Sequence, residues 1–408
     1  MSSAVDGDGR PRRRLVINSA QEWLGGMRIL VSPSSLRSTP ILLRTYILTS
    51  RSFTHNASSP RVATPPLRHH IRRYTMAENN SNIGARDVSN MSDISKSKME
   101  KDGSYNRRPS SFRNWIEKGG KYEPEAGRYH LIVSYACPWA HRTLITRKLK
   151  GLEDIVSLSV VSPHMGSNGW PFKNADEFPG ATDDGGIMGA QHVKDIYLKV
   201  QPEYDGKFTV PVLFDTKSQS IVNNESSEIL RMFNTAFNDM IAPEQASLDL
   251  YPENLRDEIE KSHEWVYPTI NNGVYRSGFA TSQSAYEDAV TKLFDSLDRV
   301  EKIFESQKSQ NANSKGEYFL ISDRLTESDI RLYDNFYHGH FKCNYRTIRD
   351  GYPLIHKWLQ NLYWNYPAFK DTTDFEHIKT HYYWSHPHIN PTRVIPLGPI
   401  PNIRPLDS

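Results

Sequence analysis

A cysteine lies where a strand is predicted to pass into a helix, and this position favours a reactive thiolate. The apolar run 129–135 is typical of a short strand, a Cys-Pro-Trp-Ala motif begins at Cys137, and 141–150 has helical spacing that ends at Gly151. Pro138 then stands in the first turn of the helix, where a missing N–H costs nothing. The unpaired N–H groups and the positive end of the helix dipole face the sulfur and stabilise the thiolate, which is the form that attacks.

The motif has no second thiol, so its chemistry needs a thiol from solution. Its fourth position is Ala140, and the other cysteine of the chain, Cys343, falls in a helical pattern and is predicted to be structural. Internal disulfide exchange is thus closed off, and a small thiol such as glutathione would serve. The alternative is that Cys137 is a small buried hydrophobic residue. Two cysteines also exclude a disulfide framework and an all-cysteine metal site, and they suggest a reducing compartment.

Two further dipeptides are suited to hold a ligand that carries both charges. If the bond between Val210 and Pro211 is cis, the Val210 backbone is exposed to pair with an extended peptide. Glu225 and Ser226 open a helix, so that its N–H groups and the serine hydroxyl can hold a carboxylate while Glu225 pairs with an ammonium. A γ-glutamyl group carries both charges. The alternative for this pair is an ordinary helix cap.

These residues depend on an alternation of strands and helices that predicts a thioredoxin topology. After the first strand and helix, the pattern continues with a strand at 155–161, a helix at 193–200, strands at 208–215 and 220–223, and a helix at 225–234. A β-α-β start implies a right-handed parallel crossover, and the last two strands are close enough for a hairpin. The predicted fold class is therefore α/β in this part of the chain.

The second half of the chain has the spacing of an all-helical domain. Residues 252–310 and 325–370 carry helical periodicity. Thr326 and Asp329 are predicted to cap a helix reciprocally, and Tyr275 is predicted to lie in an Asn/Gly-rich break.

A charge asymmetry separates the N-terminal segment from the rest of the chain. Of the 408 residues, 1–76 hold twelve arginines, no lysine and three acidic residues, a formal charge of +9 in a chain whose total is +3. The remainder therefore has a formal charge of −6, and this mildly acidic composition lacks the excess of basic residues that is typical of nucleic-acid binding. No stretch of the sequence approaches the ~18 apolar residues of a membrane span.

The basic segment is typical of a mitochondrial transit peptide, because it is rich in Arg and Ser and has no Asp or Glu from Met27 to Met76. We expect a mitochondrial protein if this leader is translated and a cytoplasmic one otherwise. The alternatives are a disordered tail, an extension of the predicted gene, or translation from Met27 or Met76. The predicted division of the chain is a leader at 1–76, a polar linker at 77–111, a thioredoxin-like domain at 112–240, an all-helical domain at 250–375 and a C-terminal tail at 376–408.

Longer motifs carry a resemblance to a known family over about residues 112–400. They are Cys-Pro-Trp-Ala-His-Arg from Cys137, Met165-Gly166, Gly-Trp-Pro-Phe from Gly169, Asn224-Glu225-Ser226, Asn-Asn-Gly-Val-Tyr ending at Tyr275, and the C-terminal stretch from His377 to Pro391. Together they resemble the glutathionyl-hydroquinone reductases, which are the Xi class of glutathione transferases and are called omega-like transferases in fungi.

The resemblance implies a thioredoxin-like domain followed by an all-helical glutathione-transferase domain, in a homodimer with glutathione as co-substrate and no bound cofactor. It implies that Cys137 attacks the sulfur of a glutathionyl-hydroquinone, and that a second glutathione resolves the resulting mixed disulfide. Tyr275 matches the proton donor to the ring, and Tyr337 and Tyr382 match two tyrosines that donate hydrogen bonds to the catalytic sulfur. The residues that match the family's glutathione contacts are Trp170, Lys207, Phe208, Thr209, Val210, Glu225 and Ser226.

The chain departs from the family pattern after Tyr333, where about six residues are missing. Counting back from Phe341 makes Tyr337 the matching tyrosine. Six residues are about 1.7 helical turns, so the two flanks of one helix cannot both keep their faces. Either the helix is rebuilt there or coding sequence was left out of the predicted gene.

Two other functions stay open at this point. An omega-type thioltransferase or dehydroascorbate reductase would use the same cysteine, and a catalytically impaired glutathione-binding module would fit the shortened segment. The aromatic run Tyr382-Tyr383-Trp384 favours a ring-shaped substrate, since rings stack. No metal site is expected, because His381, His386 and His388 lack regular ligand spacing.

Overall fold

The structure, a computed structural model, describes residues 100–107, 109–310, 317–333 and 339–406. The predicted leader at 1–76 and residues 77–99 of the predicted linker lie outside these ranges. Within them, no helix combines the length and the apolar character that crossing a membrane requires.

The first described domain is built on a four-stranded mixed sheet. Its elements are β1 (Tyr129–Val133), α1 (Pro138–Leu149), β2 (Val156–Val160), α2 (Val193–Val200), β3 (Val212–Asp215), β4 (Ser220–Asn223) and α3 (Ser226–Thr235). The strand order is β2-β1-β3-β4, with β1 parallel to β2 and antiparallel to β3, and with β3 antiparallel to β4. The prediction of a thioredoxin-like domain is confirmed.

β1 is central because its sequence, Tyr-His-Leu-Ile-Val, can be buried on both faces. All five residues are buried, and Leu131 stands between Leu158 of β2 and Leu213 of β3. A strand that is covered on both faces reads as a continuous apolar run rather than as an alternation. The segment that follows β1 therefore leads from the middle of the sheet, beyond the carboxyl end of this central strand, to the start of α1.

A proline sets the start of two elements. β3 begins at Val212 rather than at 208, because Pro211 has no N–H to donate to a ladder. The Val210–Pro211 peptide bond is cis. α1 begins at Pro138, as predicted for a proline in the first turn, whereas the helical spacing alone indicated a start at 141.

The described residues after 240 form helices and turns around a second core. The helices are α4 (Pro243–Ser247), α5 (Arg256–Val266), α6 (Asn272–Phe279), α7 (Gln283–Gln310), α8 (Glu327–Tyr333), α9 (Ile348–Gly351), α10 (Pro353–Asn365), α11 (Pro367–Lys370) and α12 (Phe375–Trp384). Trp358 of α10 and Phe304 of α7 are fully buried in this core, with ring centroids 5.8 Å apart. The helical second domain is confirmed, whereas the predicted domain boundaries stay predictions.

Tyr275 lies inside α6 rather than in the break that the sequence predicted. A π-helical turn, Tyr267–Asn271, joins α5 to α6 without interruption. Pro268 in that turn has no N–H for the helical ladder, and the wider turn keeps the helix continuous at the cost of one extra residue. The extra residue rotates α6 relative to α5, and so it decides which way Tyr275 faces.

The start of α8 has the predicted reciprocal cap. The N–H of Thr326 donates to Oδ2 of Asp329 over 3.0 Å, and the Thr326 hydroxyl donates to the same oxygen over 3.1 Å. Asp329 is fully buried, and burial raises its pKa to about 6 although four groups donate hydrogen bonds to it. The prediction for this helix start is confirmed.

The shortened segment follows α8. Tyr337 lies outside the described residues, and the chain is described again from the short 3-10 turn Gly339–Phe341. The prediction that Cys343 falls inside a helix is wrong, because Lys342 has a left-handed φ of 62° that ends the turn before the cysteine. Burial raises the pKa of the Cys343 thiol to about 12, so this cysteine is not a thiolate at neutral pH.

Candidate functional site

Cys137 is the N-cap of α1. Its φ of −86° and ψ of 111° are extended, Pro138 is the first helical residue, and the first turn contains no acidic residue. The free N–H groups of that turn and the helix dipole therefore act on the sulfur without a carboxylate of the same turn to oppose them. The thiol is half-buried, and Sγ lies 3.5 Å from the carbonyl oxygen of Val210.

The loop before β3 passes beside Cys137 and is held from its other side. The hydroxyl of Tyr197 donates to the carbonyl of Thr209 over 2.9 Å, and the N–H of Thr209 donates to the carbonyl of Lys207 over 3.0 Å. The half-buried ring of Phe208 packs edge-on against Tyr197, with centroids 5.7 Å apart. These contacts fix the backbone that faces the sulfur.

Glu225 caps α3, and its carboxylate is fixed at the start of that helix. Oε1 accepts hydrogen bonds from the N–H and the hydroxyl of Ser227, over 3.3 and 3.0 Å, and Oε2 accepts one from Ser110 over 3.0 Å. Burial raises the pKa of Glu225, but these hydrogen bonds outweigh it and bring the pKa below its usual value. Ser226 is the first residue of α3 and is buried. The site therefore has a negative charge beside the N–H groups of a helix.

Tyr275 and Tyr382 come from different helices and meet through their hydroxyls. The two oxygens are 3.1 Å apart, and Tyr382 is 5% exposed. Burial raises the pKa of Tyr275 well above its usual value, and the neighbouring Tyr382 and Cys137 raise it further. Tyr275 therefore keeps its proton at neutral pH, close enough to the sulfur to respond to its charge.

Trp170, which matches a glutathione contact of the family, packs between its own loop and α12. Its side chain is 7% exposed, and the indole stacks on His381 of α12 with ring centroids 4.5 Å apart. His381 in turn lies with Nδ1 3.0 Å from the carbonyl oxygen of Pro163, in the loop that carries Trp170. The indole therefore joins this loop to α12, and little of its surface is open to a ligand.

A segment that sequence reasoning missed also contacts the site. Residues 102–107 and 109–112, which we call the strap, begin where Ser282, after α6, donates to the carbonyl of Asp102 over 2.8 Å. Tyr105 is buried, and its ring centroid lies 5.2 Å from that of Phe279 and 6.5 Å from that of Tyr275. The strap ends at α3, where Ser110 bonds Glu225. The polar composition of 77–111 predicted a linker, and the aromatic Tyr105 was the one signal against it.

The described residues bring one group of three potential metal ligands together, and it is not the C-terminal histidines. Its members are Glu260, His263 and Glu327. Arg231 of α3 donates to both carboxylates. A guanidinium therefore already compensates the negative charge that a cation would need.

Sequence models of one family match both described domains. The model described as "Glutathione S-transferase, N-terminal domain" matches residues 136–236, and "Glutathione S-transferase, C-terminal domain" matches residues 265–364. A Schizosaccharomyces pombe protein named glutathione S-transferase omega-like 2 is 50% identical over 311 residues, which cover 74% of this chain and 96% of the relative.

Solved structures of two other relatives are similar to this chain. Glutathionyl-hydroquinone reductase YqjG of Escherichia coli is 46% identical to this chain over 311 residues, and the alignment covers 73% of this chain and 89% of YqjG. Its glutathione-bound structure has a TM-score of 0.66, with 72% of this chain and 95% of that chain covered. The crystal structure of glutathione-S-transferase Xi from Phanerochaete chrysosporium is 61% identical, with a TM-score of 0.72 and coverage of 76% of this chain and 97% of that chain.

Proposed function

The chain belongs to the Xi class of glutathione transferases, and from this premise we propose that it reduces glutathionyl-hydroquinones to hydroquinones with glutathione. One observation carries the proposal. The half-buried sulfur of Cys137 lies at the N-terminus of α1, close enough to the phenol of Tyr275 for its charge to raise the pKa of that phenol, which keeps its proton. A nucleophile and a proton donor are the two groups that this reaction needs.

In the first step the thiolate of Cys137 attacks the sulfur that joins glutathione to the aromatic ring. A sulfur–sulfur bond forms, the bond from sulfur to the ring carbon breaks, and the electron pair of that bond goes to the ring. The ring carbon takes the proton of Tyr275, and free hydroquinone leaves. The ring is thereby reduced by two electrons, while the two sulfurs are oxidised to a mixed disulfide.

In the second step a further glutathione attacks the mixed disulfide. Its thiolate bonds to the glutathione sulfur, oxidised glutathione leaves, and the thiolate of Cys137 is restored. The proton that this glutathione gives up returns to Tyr275. Cys343 takes no part, since burial raises its pKa to about 12 and it stays a thiol.

Glutathione is held by the residues around Cys137. We expect the peptide backbone of glutathione to pair with Val210, whose carbonyl oxygen lies 3.5 Å from the sulfur. The carboxylate of Glu225 binds the γ-glutamyl ammonium, and the first N–H groups of α3, with Ser226, bind the carboxylate of the same group. We expect Lys207, Phe208 and Thr209, which precede Val210 in the same loop, to contact glutathione as well. Trp170 stays a predicted contact, and its stacking on His381 holds its loop against α12.

The competing function is that of an omega-type thioltransferase, which would use Cys137 without a proton donor to carbon. A disulfide leaves as a thiolate and needs no proton, so Tyr275 would then be idle. The placement of Tyr275 favours the reductase, because its protonated phenol is close enough to Cys137 for the charge of the sulfur to act on it. The rings of Trp139 and Phe341, with centroids 6.3 Å and 5.5 Å from that of Tyr275, are both buried and hold the phenol in place.

The test is mass spectrometry of the protein after incubation with one equivalent of a glutathionyl-hydroquinone. We expect one glutathione on Cys137 and one equivalent of free hydroquinone. Cys137→Ser should form neither product, and Cys343→Ser is the matched control that should form both. An adduct without release of hydroquinone would favour the thioltransferase, and turnover by Cys137→Ser would overturn both functions.

A further inference from the structure

The strap carries an arginine, Arg107, at the point where it passes Trp139 of the Cys-Pro-Trp-Ala motif. The guanidinium carbon lies 4.2 Å from the centroid of the indole ring. The indole is stacked on the ring of Tyr275, with centroids 6.3 Å apart and an angle of 25° between the planes. Arg107 is therefore joined through one ring to the residue that donates the proton.

Among the residues that the structure describes, no carboxylate lies within ion-pair distance of Arg107, although the charge of Glu225 acts on it from farther away. The guanidinium contacts the Trp139 indole. A guanidinium stays charged at every pH that a protein meets, and it binds oxygen anions with charge-assisted hydrogen bonds. A half-buried arginine without a carboxylate partner, beside a reaction centre, is suited to bind an anion that arrives with the substrate.

The field of Arg107 reaches both ends of the site. Burial raises the pKa of Tyr275, and the charge of Arg107 opposes that rise. Burial also raises the pKa of Glu225, and Arg107 adds to the hydrogen bonds that lower it again. The guanidinium thus lies between the proton donor and the glutathione end of the site.

We propose that Arg107 is a specificity-determining residue, which binds the oxygen anion of the aromatic leaving group beside Tyr275. The inference rests on the proposed function. In the first step of that function Tyr275 protonates the ring carbon that bears the sulfur and a ring hydroxyl releases its proton to solvent, so that the ring is in its keto form. When the sulfur–carbon bond then breaks, its electron pair enters the π system, the ring becomes aromatic again, and the negative charge lies on that ring oxygen until it takes a proton back from solvent. A guanidinium fixed on the indole is already in position when this charge develops, so its stabilisation needs no rearrangement. A disulfide substrate develops no such charge and gains nothing from Arg107.

The other anion within reach is a carboxylate of glutathione. That carboxylate is present with every substrate, so a contact with it would change the affinity for glutathione whatever the leaving group. An aromatic oxygen anion is present with one class of substrate only. The two sources can therefore be separated by comparing a glutathionyl-hydroquinone with a mixed disulfide of glutathione and a small aliphatic thiol.

The experiment compares Arg107→Gln and Arg107→Lys with the wild type of the full chain on both substrates. Arg299→Gln is the matched control, because Arg299 also stacks on a tryptophan, with its guanidinium carbon 4.1 Å from the Trp265 ring, and has no place in the site. We expect Arg107→Gln to lower kcat/KM for the glutathionyl-hydroquinone by about 10–100-fold, with the disulfide rate unchanged. Arg107→Lys should recover part of the loss, and Arg299→Gln should lose nothing.

Three results would overturn the inference. Equal losses on both substrates would show a structural role for the strap, and a rise in the apparent KM for glutathione alone would assign Arg107 to the glutathione carboxylate. Full activity of Arg107→Gln on the aromatic substrate would show that the arginine is not used. In each case a wild-type chain that still forms the Cys137–glutathione adduct keeps the proposed function intact, whereas a wild type without adduct or turnover overturns both.

Discussion

At the scale of single residues, the phenol of Tyr275 offers a direct test of the proton transfer. Tyr275→Phe removes the hydroxyl and keeps the ring that packs on Trp139. We expect the rate on glutathionyl-hydroquinones to fall by about 10²–10⁴-fold, the usual contribution of general acid catalysis, while the rate on aliphatic glutathione disulfides stays the same. Steady-state rates on the two substrates, with melting temperatures as a check on folding, decide the matter.

Tyr382 supplies the control for that prediction, because its hydroxyl is the partner of Tyr275 at 3.1 Å. Tyr382→Phe leaves the phenol of Tyr275 in place, and because Tyr382 matches a tyrosine that donates a hydrogen bond to the sulfur, it should slow both substrate classes by the same factor rather than the aromatic class alone. If Tyr275→Phe slows both substrate classes by the same factor, Tyr275 is a packing residue and its assignment as proton donor fails.

Glu225 is both a helix cap and the proposed partner of the γ-glutamyl ammonium, and a change of charge at constant size separates the two roles. Glu225→Gln keeps an oxygen that can accept the Ser227 N–H and removes the negative charge. We expect the apparent KM for glutathione to rise by about 10–100-fold, with turnover at saturating glutathione and the melting temperature little changed.

Glu228→Gln is the matched control, since Glu228 lies in the first turn of the same helix and pairs with Arg113 instead. Its apparent KM should stay that of the wild type. Slower turnover of Glu225→Gln at saturating glutathione, with an unchanged KM, would contradict the proposed binding role.

At the scale of elements, α12 should make the fold sensitive to acid. Burial lowers the pKa of His377 to about 4, although the negative charge of Asp374 raises it in part. Burial also lowers the pKa of His381 to about 3. An exposed histidine in the unfolded chain titrates near ~6.5. Between these pH values the histidines are protonated in the unfolded chain and neutral in the folded chain. The folded state therefore has its full stability above about pH 6.5, and the free energy of unfolding decreases as the pH falls.

For each such histidine the free energy of unfolding should fall by about 1.4 kcal/mol per pH unit in that window. The measurement is the melting temperature from pH 8 to pH 4.5, with the fluorescence of Trp170 on His381 as a local report. His381→Gln should flatten the dependence, because glutamine has no proton to gain. An unchanged slope in His381→Gln would show that this histidine is not the group that titrates.

At the scale of the whole molecule, the basic leader and the enzyme should be separable. We propose that residues 1–76 direct the chain to mitochondria, because arginines without acidic neighbours favour import. Fused to a fluorescent protein, this segment should localise to mitochondria, and replacing its arginines after Met27 by glutamine should abolish the localisation.

A diffuse signal from the unaltered leader would contradict the proposal and would favour translation from Met27 or Met76. The N-terminal mass of the protein isolated from its own cells then identifies the start. A chain that begins at Met76 should keep full reductase activity, since every residue assigned to the site lies after 100.

Features that depend on neighbours in the chain were predicted from the sequence. The apolar run of β1, the proline after Cys137 and the acidic cap of α3 each identify their element through local rules. For this reason the sequence predicted the thioredoxin-like order, the position of Cys137 at the start of a helix and the helix start at Glu225.

Features that depend on distant residues were decided by the tertiary structure alone. The hydroxyls of Tyr275 and Tyr382 meet across 107 residues of chain, after a π-helical turn that no local pattern announces. Trp170 stacks on His381 of α12, 211 residues further along the chain, and its match to a glutathione contact stays a prediction. Arg107 lies in a segment whose composition predicts a linker, and only the fold brings its guanidinium onto the ring of Trp139. These contacts arise from packing between elements that are distant in the chain. The composition of a segment does not specify which distant surface will pack against it.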